Sequence, residues 1–385
     1  MKNSSRDSIV IICGGIESQK DGIGDYSRTL ANELNDRYHV VLCAINDEYI
    51  SETKREFDKY QIIRLPSCNS WAARANNLSQ LILEYKPVWI SFQLSPFGLH
   101  KKGVMYESIK YLIPVLKPHK IHFFIHELWL GAEKGASIKR KLWGFMIKYF
   151  LLKLIKHIAP FKIYVSCEIN QFLLKNEGIE TGVVPVFSNI SIDNTVNTKF
   201  LIKKISQKCG IDIESNTSQF IVVGFFGMIH PYWNPDEIFR QLDLLAKHNN
   251  QQLLFLFIGK IDEGAILKVL SMLPAGALYY KTGILSNAEI SGFIQLCATG
   301  ITSNPEIMLG KSGTVAAFIL HRKPVIVYKN EIIVSNFKLE TPISELVLYP
   351  HQLQSRLLSL IKSMDVIPTF EAKQLALKMS IDMKV

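Results

Sequence analysis

The 385-residue chain has no Cys-x-x-Cys pair, no Asp-x-Asp and no run of eighteen apolar residues free of lysine or arginine. Its six cysteines, at positions 13, 43, 68, 167, 209 and 297, stand singly, four of them in or beside apolar strand-like runs. That scatter excludes a disulfide-stapled module and predicts reduced, buried thiols in a cytoplasmic protein. The missing apolar run argues against a transmembrane span. The apolar stretch after MKNSSRD is too short for a signal peptide, so export is not expected. With only 15 prolines, 20% charged and 48% hydrophobic residues, disorder is excluded as the main state. The length exceeds one ordinary core, which predicts two domains of roughly 150 to 200 residues each. A net charge of +10 favours an anionic partner: nucleotide phosphates, anionic lipid or nucleic acid.

Short β-branched runs alternate with longer amphipathic segments, the pattern of βαβ units and a mostly parallel sheet. Strands are expected at Ile9–Cys13, Val40–Ala44, Ile62–Leu65, Trp89–Phe92, His122–Ile125, Ile163–Val165 and Val183–Val186. A polar stretch from Ser188 to Ser218 breaks the rhythm and is the best boundary. A fresh alternation follows at Phe220–Phe226, Leu253–Ile258, Leu278–Tyr280, Ala298–Thr302, Pro324–Tyr328 and Leu346–Leu348. The expected organisation is an N-terminal domain over 1–188, a linker over 189–219, a second domain over 220–350, and helices over 351–385 that pack back towards the first domain. No short internal repeat and no low-complexity tract is present.

Ligands of such sheets sit outside the carboxyl ends of the strands, so the loops there carry the candidate chemistry. The first is Gly14-Gly15-Ile16 with Asp21-Gly22-Ile23-Gly24-Asp25-Tyr26-Ser27. Its glycines let backbone approach a ligand, and the helix start after them suits an anion; a plain turn is the alternative. Eight residues separate Cys13 from Gly22, so a dinucleotide fingerprint is a poor reading. The second is Phe225-Phe226-Gly227-Met228-Ile229-His230-Pro231-Tyr232-Trp233-Asn234-Pro235-Asp236, where Gly227 permits a tight turn and Asn234-Pro235 sets up a helix start. The third is Ser303-Asn304-Pro305-Glu306 with Lys311-Ser312-Gly313-Thr314. Ser312 is a plausible N-cap, and its hydroxyl, that of Thr314, the amides and the Lys311 cation are a phosphate site by chemistry; plain capping is the alternative.

In order and spacing these segments resemble the GT-B glycosyltransferases, and specifically glycosyltransferase family 4, over nearly the whole chain. DGIGDYSRTLANEL looks like the family's GGxGxY-type loop and helix, FFIHELW like the strand ending in a donor-site histidine, and VSCEINQFLLKNEG like its helix entry. VPVFSN matches the passage into the second domain, FFGMIHPYWNPDEIF looks like GRLxxxKNP, and TGILSNAEISGFIQLCATGI like the G-x-L-x-x-x-E strand and helix. KSGTVAAFILHRKPVIV resembles a variant whose basic-Ser-Gly-Thr element opens the nucleotide-binding helix. The resemblance implies an α/β fold of two doubly wound Rossmann-like domains facing across a cleft. It implies donor contacts from Gly22, Gly24, Gly227, His230, Glu306, Lys311, Ser312, Gly313 and Thr314, catalytic roles for His126 and Asp25, and Tyr26 and Glu127 on the acceptor side. Met228 and Trp233 stand where the family has Arg and Lys on the pyrophosphate. Leu309 and Ala317 stand where it has a pair of glutamates.

Retaining enzymes of this kind need no metal or other cofactor beyond the nucleotide diphosphate sugar itself. His126-Glu127 is not a zinc motif, since Leu130 follows. His119 precedes its strand, and alternate strand residues project to opposite faces, so no metal cluster of His119, His122 and His126 is expected. His126 is either satisfied by backbone or placed on the donor sugar. Asp25 either caps its helix or orients and deprotonates an acceptor hydroxyl. Between Glu133 and Glu168 no acidic residue occurs, while lysines and one arginine alternate with large apolar residues. Lys139, Arg140, Lys141, Trp143, Lys148, Lys153 and Lys156 suit a helix lying on an anionic membrane; the alternative is an ordinary packed helix with solvated lysines. No nucleic-acid motif accompanies the charge. The expected activity is transfer of a sugar from a nucleotide diphosphate sugar to a glycan or lipid-linked acceptor in cell-surface glycan biosynthesis, by a cytoplasmic protein with peripheral contact at the inner face of a membrane. The rival is a degenerate sugar-nucleotide-binding or scaffold subunit of a partner transferase. A sugar-nucleotide 2-epimerase of the same fold is disfavoured, because the motifs are those of family 4.

Overall fold

The computed structural model describes residues 6–18, 20–230, 233–328, 332–339, 342–362 and 371–384. The chain divides into two compact units, one of residues 1–185, 332–338 and 372–385, the other of 186–331 and 339–371. Both are α/β units built on a largely parallel sheet.

In the first unit the strands are β1 (Ser8–Cys13), β2 (His39–Asp47), β3 (Lys54–Phe57), β4 (Gln61–Pro66), β5 (Trp89–Leu94), β6 (Ile121–Ile125), β7 (Lys162–Val165) and β8 (Gly182–Val183). Their spatial order is β3-β4-β2-β1-β5-β6-β7-β8, parallel except for β3. Central β1, SIVIIC, is apolar on both faces because helices cover both sides of a parallel sheet. Those helices are α1 (Gly22–Leu34), α2 (Trp71–Tyr85), α3 (Pro96–Leu99), α4 (Tyr106–Leu116), α5 (Ile138–Ile158) and α6 (Glu168–Lys175). The sequence pattern does not anticipate β3: it reads KREF, every residue is exposed, and it pairs antiparallel on the sheet edge. The strand expected over Val183–Val186 is only two residues long, and Val186 N–H instead donates to Gly310 O at 2.8 Å.

The second unit has six parallel strands, β9 (Phe220–Phe226), β10 (Gln252–Ile258), β11 (Leu278–Gly283), β12 (Thr299–Thr302), β13 (Val325–Val327) and β14 (Val347–Leu348), in the order β11-β10-β9-β12-β13-β14. Its helices are α7 (Thr198–Cys209), α8 (Asp236–His248), α9 (Glu263–Leu270), α10 (Asn287–Leu296), α11 (Gly313–Leu320) and α12 (Leu358–Lys362). The 189–219 stretch, expected as a linker, thus contains a helix, whose Leu201 and Ile205 are buried in this unit's core. Ser286 and Glu289 form a reciprocal capping box that starts α10. The last helix, α13 (Ala372–Asp382), packs on α1 of the first unit and buries Leu375, Ala376 and Met379.

Candidate functional site

In the first unit, the loops after β1, β2, β5 and β6 converge at the carboxyl ends of neighbouring strands. A Cβ on Gly14 would lie 2.6 Å from Gly98 O, and one on Gly24 would lie 2.6 Å from Gly15 O. These two glycines therefore serve close backbone packing. Gly22 is exposed and meets nothing, so it, like Gly313 in the second unit, leaves open space for a ligand. The helix is capped by Asp21, whose carboxylate accepts from Ile23 N–H and Gly24 N–H at 3.0 Å each. That settles one alternative for Asp25: it sits within the first turn and is not the cap. Burial pushes the Asp21 carboxyl up from its ordinary value, opposed by the amides that bond it.

His126, just past β6, is 7% exposed. Its Nε2 lies 3.0 Å from Gln93 Oε1, while Gln93 Nε2 donates to Ser91 Oγ at 2.8 Å. With the amide nitrogen on Ser91, the amide oxygen faces the imidazole and accepts from Nε2–H. Ser91 Oγ lies 3.0 Å from His122 Nδ1, so His126 and His122 are the two ends of one buried polar chain. His122 on β6 and His126 just past its end reach the same Ser91–Gln93 pair, contrary to the opposite faces expected for this histidine set. The side chain that satisfies His126 is Gln93, not the backbone alone. Tyr26, expected on the acceptor side, is buried at 3% exposure, with its ring edge-on to His126 at 4.9 Å, so it supports the imidazole from behind. Glu127 accepts from Ser95 Oγ at 2.6 Å, and Ser95 in turn caps α3. Neither Gln93, Ser91 nor Ser95 carries a sequence signal, since each lies within or beside an apolar strand.

Beside them, Arg74 is 4% exposed, stacks over Trp71 with Cζ 3.7 Å from the ring, and donates to Ile45 O and to Asn46 Oδ1. Burial lowers its guanidinium to about 10. Asn46 Nδ2 donates to Gly98 O at 3.0 Å, linking the end of β2 to α3.

In the second unit, Gly227 follows β9 with φ +82, a conformation that favours glycine, and a Cβ there would lie 2.6 Å from Thr314 Cγ2. Ser312 caps α11 as expected, accepting from Val315 N–H at 3.3 Å. Asn304 Nδ2 donates to Ser312 Oγ at 2.9 Å, and Ser312 Oγ lies 3.0 Å from Thr314 Oγ1. Ser303 Oγ accepts from His230 N–H at 2.8 Å and donates to Met228 O at 3.2 Å. The second and third sequence clusters are therefore one cluster in space, at the carboxyl ends of β9 and β12. Lys311 and Gly313 are exposed at its rim. Glu306 opens a 3-10 turn and accepts from the hydroxyl of Tyr349, a partner 43 residues away. Burial, and then that carboxylate, push the Tyr349 phenol up. Trp233 is buried against Phe225 and Phe239, whereas Met228 is 80% exposed. Pro231 and Tyr232 lie outside the described residues.

The chain matches HepE (Alr3699) of Anabaena in complex with UDP and glucose at TM-score 0.55 and 13% identity, covering 98% of each chain. The same protein in complex with UDP-glucose matches at 0.52 and 12%, over 98% of this chain and 97% of that one. The E. coli trehalose-6-phosphate structure bound with UDP-2-fluoro glucose matches at 0.57 and 9%, over 98% of this chain and 99% of that one. The chain has the GT-B fold. No family model and no curated protein matches it.

The basic segment forms the 21-residue helix α5. Several residues expected to touch a membrane are engaged elsewhere: Arg140 pairs with Glu133 and Lys148 with Glu177, both at 2.5 Å, and the Trp143 indole donates to Lys102 O at 2.9 Å. Lys153 is half-buried; Lys139, Lys141 and Lys156 are exposed. Among the described residues no helix is long and apolar enough to cross a membrane, and no three His, Cys, Asp or Glu side chains group to hold a metal ion.

Proposed function

We propose that the protein transfers a sugar from a nucleotide diphosphate sugar to a glycan or lipid-linked acceptor, with retention and without a metal, in cell-surface glycan biosynthesis at the inner face of a membrane. The observation that carries this reading is the cluster of Ser312, Thr314, Asn304 and Lys311 at the start of α11, packed through Thr314 against the Gly227 turn. Free amides at that helix start, two hydroxyls and one exposed cation suit a diphosphate. They would stabilise the charge that develops on the departing nucleotide. The fold is shared with chains solved with UDP and UDP-glucose, which supports a nucleotide sugar as donor. In the other unit, His126 would contact the donor sugar and Asp25 would orient or deprotonate the acceptor hydroxyl.

Family 4 is the relative this reading favours, in a divergent form. With Met228 exposed and Trp233 buried, the loop after β9 supplies neither pyrophosphate cation of that family, and Leu309 and Ala317 are buried apolar residues. That observation favours a second reading, a sugar-nucleotide-binding subunit without turnover. Transfer and donor hydrolysis with a panel of UDP-, GDP- and dTDP-sugars, with and without a chelator, separates them. Turnover insensitive to chelation supports the enzyme; tight nucleotide binding with no turnover on any donor supports the subunit.

A further inference from the structure

We propose that the N-terminal half of α5 is a docking surface for an anionic lipid bilayer, with the helix axis lying along the membrane plane. Ile138, Leu142, Phe145 and Tyr149 recur at helical spacing on one stripe, with Met146 beside it, and they are 78%, 64%, 65%, 52% and, for Met146, 41% exposed. Five large apolar side chains in contact with water on one ridge cost free energy that burial would recover. The helix cannot roll to hide them. At about 100° per residue, buried Gly144, Ile147, Leu151 and Leu154 lie on the opposite side. A Cβ on Gly144 would fall 1.8 Å from Leu130 O, so the helix is seated backbone to backbone at that point.

Charge selects the occupant. Lys139 and Lys141 are exposed on either flank of the ridge and make no ion pair among the described residues, and α5 itself contains no acidic residue. An apolar ridge between unpaired lysines fits acyl chains below and anionic headgroups beside, with the lysine stems snorkelling and Tyr149 at the interface. This surface differs from the lysine set that composition points to, because Arg140 and Lys148 are held in ion pairs. It rests on the membrane location in the sugar-transfer reading and names the surface for it, while its partner is bound through side chains outside the nucleotide cluster.

The test is cosedimentation of the full chain with vesicles of phosphatidylglycerol and phosphatidylcholine, and with phosphatidylcholine alone. Parent protein should partition onto the anionic vesicles, and the triple variant Leu142→Ser, Phe145→Ser, Tyr149→Ser should lose at least about a hundredfold in partition. Lys139→Gln with Lys141→Gln should lose roughly fivefold per lysine, an effect that high salt removes from the parent too. All replaced side chains face solvent, so unfolding temperatures should stay at the parental value. Equal partition of parent and triple variant overturns the proposal. So does a parent that ignores vesicles but self-associates through this face, dissociating in the triple variant. Calorimetric titration of UDP into the same preparations reads the nucleotide site separately, so failure of one proposal does not mask failure of the other.

Discussion

Gly227→Ala is the perturbation whose consequences the structure fixes most closely. Two costs arise at once. At φ +82 an L-residue is strained by about 1–2 kcal/mol. The new methyl also lands 2.6 Å from Thr314 Cγ2, on a β-branched side chain with little freedom to turn, an overpacking that costs about 1–3 kcal/mol. Together they should destabilise the second unit by about 2–5 kcal/mol, or roughly 5–15 °C in unfolding temperature for a unit of this size. Thr314→Ser removes the clashing methyl and keeps the hydroxyl that faces Ser312. The double variant should therefore regain the overpacking share and retain only the backbone strain, a coupling measurable by a double-mutant cycle in scanning calorimetry. Nucleotide affinity should follow the same order, because the turn and Thr314 belong to one cluster. If Thr314→Ser rescues neither stability nor affinity, the contact between this turn and α11 is not what demands a glycine.

Three other outcomes are expected. Lys311→Ala should weaken UDP binding by about 1–3 kcal/mol in calorimetry, with Lys203→Ala on the exposed side of α7 as the charge control; half-buried Lys323, which donates to Gln295 O, is unsuited to that use. His126→Ala should cut turnover about a hundredfold or more while nucleotide affinity stays within error, and parental turnover would remove its catalytic role. Burial lowers His122 from 6.5 to about 3; the unfolded chain therefore takes up the extra proton, and stability that is complete above about 6.5 should decline as pH falls towards 3. His122→Asn should flatten that decline in circular dichroism melts, and an unaltered slope would assign it to other groups.

The central strands are legible in the sequence because a parallel strand covered on both faces must be apolar throughout, as SIVIIC and QLLFLFI are. Strand β3 is not legible, since an exposed edge strand of charged residues has no apolar alternation to read. In the site, Ser312 as a cap and Gly227 as a turn follow from local chemistry. Asp21 was open to the same logic, being followed by the Gly-Ile-Gly that its carboxylate caps. The Gln93 contact to His126 and the Tyr349 contact to Glu306 join residues 33 and 43 positions apart. Such pairs depend on strand register and chain return, which no local spacing encodes. On α5, composition shows the excess of apolar residues, but only the packing shows which of them the core leaves outside.

The return of α13 to α1 bears on how the protein is made. Lys120 Nζ reaches Met383 O at 2.5 Å, and Tyr164 hydrogen-bonds Asp382, so the first unit is completed by a segment that follows the second unit in the chain. Between these pieces lies the whole second unit, and residues 332–338 also belong to the first, through a bridge from Val334 to Glu133. Translation delivers chains from the N-terminus and domains fold as units. Part of the α1 surface must therefore stay uncovered until residues 372–382 have emerged, after all segments of the second unit have been translated. A nascent chain stalled before residue 372 should bind chaperones through that α1 surface, and a separately supplied peptide spanning α13 should compete them away.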